Sequence, residues 1–183
     1  MPRPLAVLIG PMGVGKTRLG KRVAKRLGVP FTDTDKVVVA AHGPITDIFA
    51  EHGEDWFRGV ESETVLAALE GDGIVSLGGG AVLHPATRAA LAGHTVVFLT
   101  SPAEAVLARI DLGKRPLLRD DPGAWERIFR EREPVYRALA SHTVDTSGRP
   151  MEHVVDTIVA LVAPARDTTT KTATAEPAAE EAP

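Results

Sequence analysis

A chain of 183 residues with 44% hydrophobic and 25% charged side chains has the make-up of one globular domain, large enough to bury a substantial core. A net charge of −3 gives no general attraction for nucleic acid, and the six histidines are scattered without metal-binding spacing. Cysteine is absent, no stretch approaches the roughly 18 apolar residues of a membrane span, and Met1-Pro-Arg-Pro-Leu5 is no secretory leader, so a cytoplasmic protein is expected.

Leu5-Ala-Val-Leu-Ile9 reads as a short buried strand. It runs into Gly10-Pro-Met-Gly-Val-Gly-Lys-Thr17, a complete G-x-x-x-x-G-K-[ST] match, after which Leu19, Val23, Ala24 and Leu27 recur at helical spacing. Strand, glycine-rich turn and helix N-terminus together make a phosphate cradle, because successive N–H groups converge there and the helix dipole adds positive potential. Gly10 and Gly15 allow the bend, Lys16 reaches the β- and γ-phosphates, and the Thr17 hydroxyl can ligate Mg²⁺. The expected ligand is a nucleoside triphosphate, with Gly13, Val14, Gly15, Lys16, Thr17 and Arg18 around its phosphates.

Val29-Pro-Phe31 and the following Thr32-Asp33-Thr34-Asp35 read as a second strand ending in carboxylates. A short helix is predicted over 44–52 and a longer one over 54–69, with Phe57, Val60, Val65, Ala68 and Leu69 turned inward. Ile74-Val-Ser-Leu77 is a third strand, stopped by Gly78-Gly79-Gly80, and 85–91 a helix. Thr95-Val-Val-Phe-Leu99 is a fourth strand, and a helix over 102–110 starts on proline, where the missing N–H costs little. Residues 111–121 are polar and basic without periodicity, and Trp125, Ile128, Phe129, Tyr136 and Leu139 mark a helix through 140. Thr143-Val-Asp145 is the fifth strand, followed by a helix with Val154, Val155, Ile158, Val159 and Val162 on one face.

Five short strands interleaved with helices predict an α/β fold, a parallel sheet covered on both sides. Ligands then gather at the carboxyl ends of the strands. Residues 164–183, almost entirely Ala, Thr, Glu and Pro, cannot bury enough apolar area to offset their ordering entropy and read as a disordered tail.

Several residues near that edge carry two readings each. Asp33 and Asp35 suit a kinase, one near Mg²⁺ and one near an acceptor hydroxyl, or they cap the next helix. With no aspartate after the third strand, Asp33 is the candidate for holding the metal. The glycine triplet lets a backbone approach a ligand, or is a flexible loop. Arg58 and Arg132 grip an acidic substrate, or pair on the surface with Glu54, Glu61 or Glu133. Gly113-Lys-Arg-Pro-Leu-Leu-Arg119 is a lid or an exposed connection. Trp56 and Trp125 are read as packing residues.

In this order the motifs resemble those of the shikimate kinases. The matching text is the P-loop, Asp33-Thr-Asp35, Ile48-Phe49 with Gly53-Glu54 and Phe57-Arg58, Leu77-Gly-Gly-Gly80, Arg115-Pro-Leu-Leu118 and Arg132-Glu-Pro-Val-Tyr136. The resemblance implies a P-loop NTPase fold like the nucleoside monophosphate kinases, in one domain over 1–163 with substrate-binding helices at about 36–69 and a lid at about 111–121. It also implies transfer of the ATP γ-phosphoryl group to the 3-hydroxyl of shikimate, by a monomer using one Mg²⁺. On that analogy Asp35 holds the accepting hydroxyl, Arg58, Arg132 and Gly79 bind shikimate, and Thr17 with Asp33 holds the metal. Lys16, Asp35 and Arg115 are then the catalytic residues, Arg115 as the lid cation, and Arg109 and Arg149 lie against adenine. Lys36-Val-Val-Val39 stands where members often carry an Ile-Glu pair. The rival readings are a kinase for another hydroxy acid such as gluconate, and a nucleotide-binding regulatory module without transfer.

Overall fold

The computed structural model describes residues 3–109, 121 and 123–163. The predicted tail at 164–183, and the lid at 111–121 apart from Asp121, lie outside the described residues.

Five parallel strands, β1 (Ala6–Ile9), β2 (Phe31–Asp33), β3 (Ile74–Ser76), β4 (Val96–Thr100) and β5 (His142–Asp145), pair in the order β2-β3-β1-β4-β5. The helices are α1 (Lys16–Leu27), α2 (Thr34–His42), α3 (Ile45–Leu69), α4 (Pro85–Leu91), α5 (Ala103–Leu107), α6 (Ala124–Leu139) and α7 (Met151–Val162). A 3₁₀ turn, Ala81–Leu83, follows the glycine triplet.

The sheet is apolar on both faces because helices cover both. Alternation along β1 sends Ala6 and Leu8 to the face packed by Leu19 and Val23 of α1 and by Val154 and Ile158 of α7. Val7 and Ile9 point the other way, into a second core with Val65 and Leu69 of α3, Leu91 of α4 and Tyr136 of α6. The chain runs from β1 to the edge strand β2, returns to β3, and then crosses β1 to β4 and β5, so the crevice beside the end of β1 is the switch point of the sheet. Gly10 stands there at φ 138, and a Cβ on it would collide with the Leu99 carbonyl oxygen.

Two local departures from the sequence reading concern the segment after β2. Asp33 ends the strand, but Thr34 already starts a helix, so Asp35 lies in the first turn of α2 and not on an extended strand. The predicted helices at 44–52 and 54–69 are the two halves of α3, bent at Gly53 with φ 81. Val38, Ile48 and Phe57 join α2 to both halves of α3 in a small core of their own.

Candidate active site

The P-loop forms the floor of a cleft of about 450 Å³. Gly13, Val14, Gly15, Lys16, Thr17 and Arg18 line it from one side. Arg109 and Arg149 line it too, where the sequence analysis sets adenine. Arg109 is held by bonds to the Ala105 carbonyl and the Ser101 hydroxyl, and the Thr146 hydroxyl donates to the Val14 carbonyl at 3.2 Å, tying the loop after β5 to the P-loop. The first N–H groups of α1 have no intrahelical acceptor and open into this cleft with the positive end of the helix dipole. Lys16 Nζ donates to the carbonyls of Gly10 at 2.7 Å and Pro11 at 2.9 Å, which holds the ammonium over the loop.

Asp33 caps α2, as weighed for it, and also reaches the P-loop. Its Oδ1 accepts from the Lys36 N–H and caps α2, while Oδ2 accepts from the Thr17 hydroxyl at 2.6 Å. A hydroxyl and a carboxylate are thereby fixed side by side at the edge of the phosphate cradle.

A second group of side chains gathers on the glycine triplet. A Cβ on Gly78 would stand 2.5 Å from Asp35 Oδ1 and 2.6 Å from Glu61 Oε1. One on Gly80 would run into the Arg58 guanidinium, and one on Gly79 would meet the Met12 nitrogen at 3.4 Å. Asp35, Glu61 and Arg58 therefore crowd one strip of backbone, and that strip rests on the P-loop. The triplet is glycine because any side chain would fill the space those groups occupy. Among the described residues no acceptor bonds the N–H of Gly79 or of Gly80.

Arg58 donates to Glu61 at 2.6 Å and to Glu54 at 3.1 Å. Burial is the largest single influence and pulls its pKa down, but the charges and hydrogen bonds of Glu61 and Glu54 together outweigh it and the net direction is up. Glu61, 2% exposed, moves up as well, because burial opposes its charge more strongly than Arg58 favours it, and Asp35 adds repulsion. Arg132 acts on the same cluster: its charge reaches both Glu61 and the Tyr136 hydroxyl. It shares a narrow crevice with Pro11, Met12, Trp125 and Tyr136. Both surface partners weighed for Arg58 are present, yet the guanidinium is only 17% exposed and sits inside the site. Glu133 pairs with Arg137, leaving Arg132 turned to the crevice.

Of the sequence-predicted residues, Arg115 lies outside the described residues. The structure adds three to the candidates. Glu61 was weighed only as a surface partner of Arg58, although its place four residues after Phe57 and four before Val65 puts it on their buried face. Trp125 packs on Phe129 as expected, but its indole N–H also donates to the Met12 carbonyl at 3.1 Å. Tyr136 donates to the Gly79 carbonyl at 2.5 Å, a contact no sequence pattern announces.

The shikimate kinase family matches residues 12–163 of the chain. A shikimate kinase of Mycobacterium avium is 48% identical over 169 residues, 90% of this chain and 96% of that protein. One from Salinispora arenicola is 46% identical over 164 residues, 87% of this chain and 98% of that protein. Among solved structures, a shikimate kinase from Acinetobacter baumannii in complex with shikimate is similar at a TM-score of 0.81 and 30% identity, covering 88% of this chain and 93% of that one. A doubly wound sheet with a P-loop at its switch point, matched in sequence over nearly its whole length, is what these proteins share with this one, and the chain belongs to the shikimate kinase family.

Proposed function

We propose that the chain transfers the γ-phosphoryl group of ATP to the 3-hydroxyl of shikimate, giving shikimate 3-phosphate and ADP, with the roles divided as follows. ATP lies in the cleft over α1, its phosphates on the P-loop amides and Lys16, its base toward Arg109 and Arg149. Arg58 and Arg132 take the shikimate carboxylate, and the open N–H groups of the glycine triplet take a further oxygen. Asp35 holds the 3-hydroxyl. As that oxygen forms its bond to the γ-phosphorus, the bond to the β-phosphate oxygen of ADP breaks and the hydroxyl proton passes to Asp35. Phosphoryl transfer rests on alignment and on cations about the moving group, here Lys16 and Arg115.

Thr17 and Asp33 fit a hard divalent cation. Both present oxygen and they stand 2.6 Å apart beside the cradle, so together they would hold Mg²⁺ that arrives with the nucleotide. Among the described residues no three carboxylates, histidines or cysteines cluster so as to hold a metal ion. Bound Mg²⁺ would supply charge neutralisation at the β- and γ-phosphates.

One observation carries the reading: Asp35 and Arg58 press on a glycine strip that itself lies against the P-loop, so an acceptor held there adjoins the terminal phosphate. The absence of cysteine and the use of ATP support a cytoplasmic setting, and a site built from one chain supports a monomer. Among the described residues no helix is long and apolar enough to cross a membrane. The test is ADP release with shikimate, with gluconate and with neither. Release that requires shikimate supports the assignment, and equal release in all three overturns it.

A further inference from the structure

The glycine strip and Arg132 come from distant parts of the chain, yet one hydroxyl lies beside both. Tyr136 is fully buried, its ring stacked on Phe98 of β4 at a centroid distance of 5.2 Å, so its hydroxyl has a fixed position. That hydroxyl donates to the Gly79 carbonyl at 2.5 Å, and Arg132, one helical turn earlier on α6, shares its crevice and acts on it by charge. A trans peptide is planar, with its C=O and N–H pointing in opposite directions. Drawing the Gly79 carbonyl toward Tyr136 therefore turns the Gly80 N–H to the other side, where no described group accepts from it.

We propose that Tyr136 is a positioning residue for the acceptor substrate, its single hydroxyl setting both the aim of Arg132 and the orientation of the Gly79–Gly80 peptide. The phenol spends its one proton on Gly79, which leaves its lone pairs for the guanidinium, a group that can only donate. Burial raises the Tyr136 pKa against the opposing charge of Arg132, which keeps that proton in place. The hydroxyl thus couples two elements that would otherwise find the substrate independently, and its loss should fall on shikimate, not on ATP. This rests on the assignment of Arg132 and the glycine strip to shikimate.

The test is steady-state kinetics of Tyr136→Phe beside Arg132→Lys and the unaltered enzyme. The expected result for Tyr136→Phe is a KM for shikimate about 10-fold higher, with the KM for ATP within about 2-fold, as for losing one charge-assisted hydrogen bond. Because Tyr136 is the single tyrosine of the chain, ring-labelled tyrosine gives one NMR signal in the unaltered enzyme, and shikimate should shift it. That measurement decides alone if Tyr136→Phe does not fold. An unchanged signal, or a Tyr136→Phe enzyme whose two KM values stay normal or rise together, overturns the proposal. If Arg132→Lys alone loses shikimate affinity, the relay fails while the site assignment stands. An unaltered enzyme that ignores shikimate overturns both.

Discussion

Arg58 and Glu61 stand one helical turn apart on α3 and close a 2.6 Å ion pair in which the carboxylate is almost wholly buried. Such a pair gives up the hydration of two charges for one contact, so it is a poor source of stability. What it supplies is direction: Glu61 holds the guanidinium against Gly80 from one side while Asp35 stands beside Gly78.

A stability prediction follows from the sign of the Glu61 shift. Burial, aided by the Asp35 charge and opposed by Arg58, raises its pKa above the ordinary value of 4.5. The native state then binds the proton more tightly than the unfolded chain does. The corresponding stability is complete below 4.5 and is lost as pH rises through the raised value. Glu61→Gln, an isostere of the protonated acid, should match the unaltered protein near about pH 4 and exceed its stability near about pH 7, while losing affinity for shikimate. Urea denaturation at the two pH values checks this, and a variant that loses ground as pH rises would reverse the sign.

Arg58→Ala removes a carboxylate partner made in the ground state as well as the transition state. The KM for shikimate should rise by about 10- to 100-fold, more than kcat falls, and the KM for ATP should hardly move. Initial-rate kinetics in both substrates separate these effects.

Asp33 has two jobs that one substitution can part. Asp33→Asn keeps an oxygen for the Lys36 N–H and should cost under about 0.5 kcal/mol, whereas Asp33→Ala also loses the cap, at about 1 kcal/mol. Both should lower turnover by about 10-fold or more and raise the Mg²⁺ concentration needed for half-maximal rate. Chemical denaturation beside a Mg²⁺ titration distinguishes the two functions.

Lys16→Met leaves a side chain of similar length without charge. Turnover should fall by about 10²-fold or more while the fold survives, since the half-buried ammonium is held over the phosphate cradle by the Gly10 and Pro11 carbonyls. Activity assays and circular dichroism check the two halves of that statement.

The phosphate side of this site was legible in the sequence because it is local. A strand, a loop and a helix that follow one another carry all its parts, and the spacing of Gly10, Gly15, Lys16 and Thr17 fixes their geometry. The acceptor side was legible only through family resemblance. Asp35, Arg58, Gly79 and Arg132 come from α2, α3, the loop after β3 and α6, and nothing in their spacing states that they meet. Helix α2 went unread because Val37-Val38-Val39 shows no helical period, with Val38 alone turned inward and its neighbours exposed. Tyr136 was placed correctly on the inner face of a helix, but its hydroxyl finds the Gly79 carbonyl only after α6 packs on the sheet.

The most direct measurement of the central claim is a crystal structure of the enzyme with ADP and shikimate. The account predicts the shikimate carboxylate between Arg58 and Arg132, its 3-hydroxyl at Asp35 and facing the β-phosphate beside Lys16. Shikimate bound elsewhere, or with its carboxylate turned away from both arginines, would contradict it.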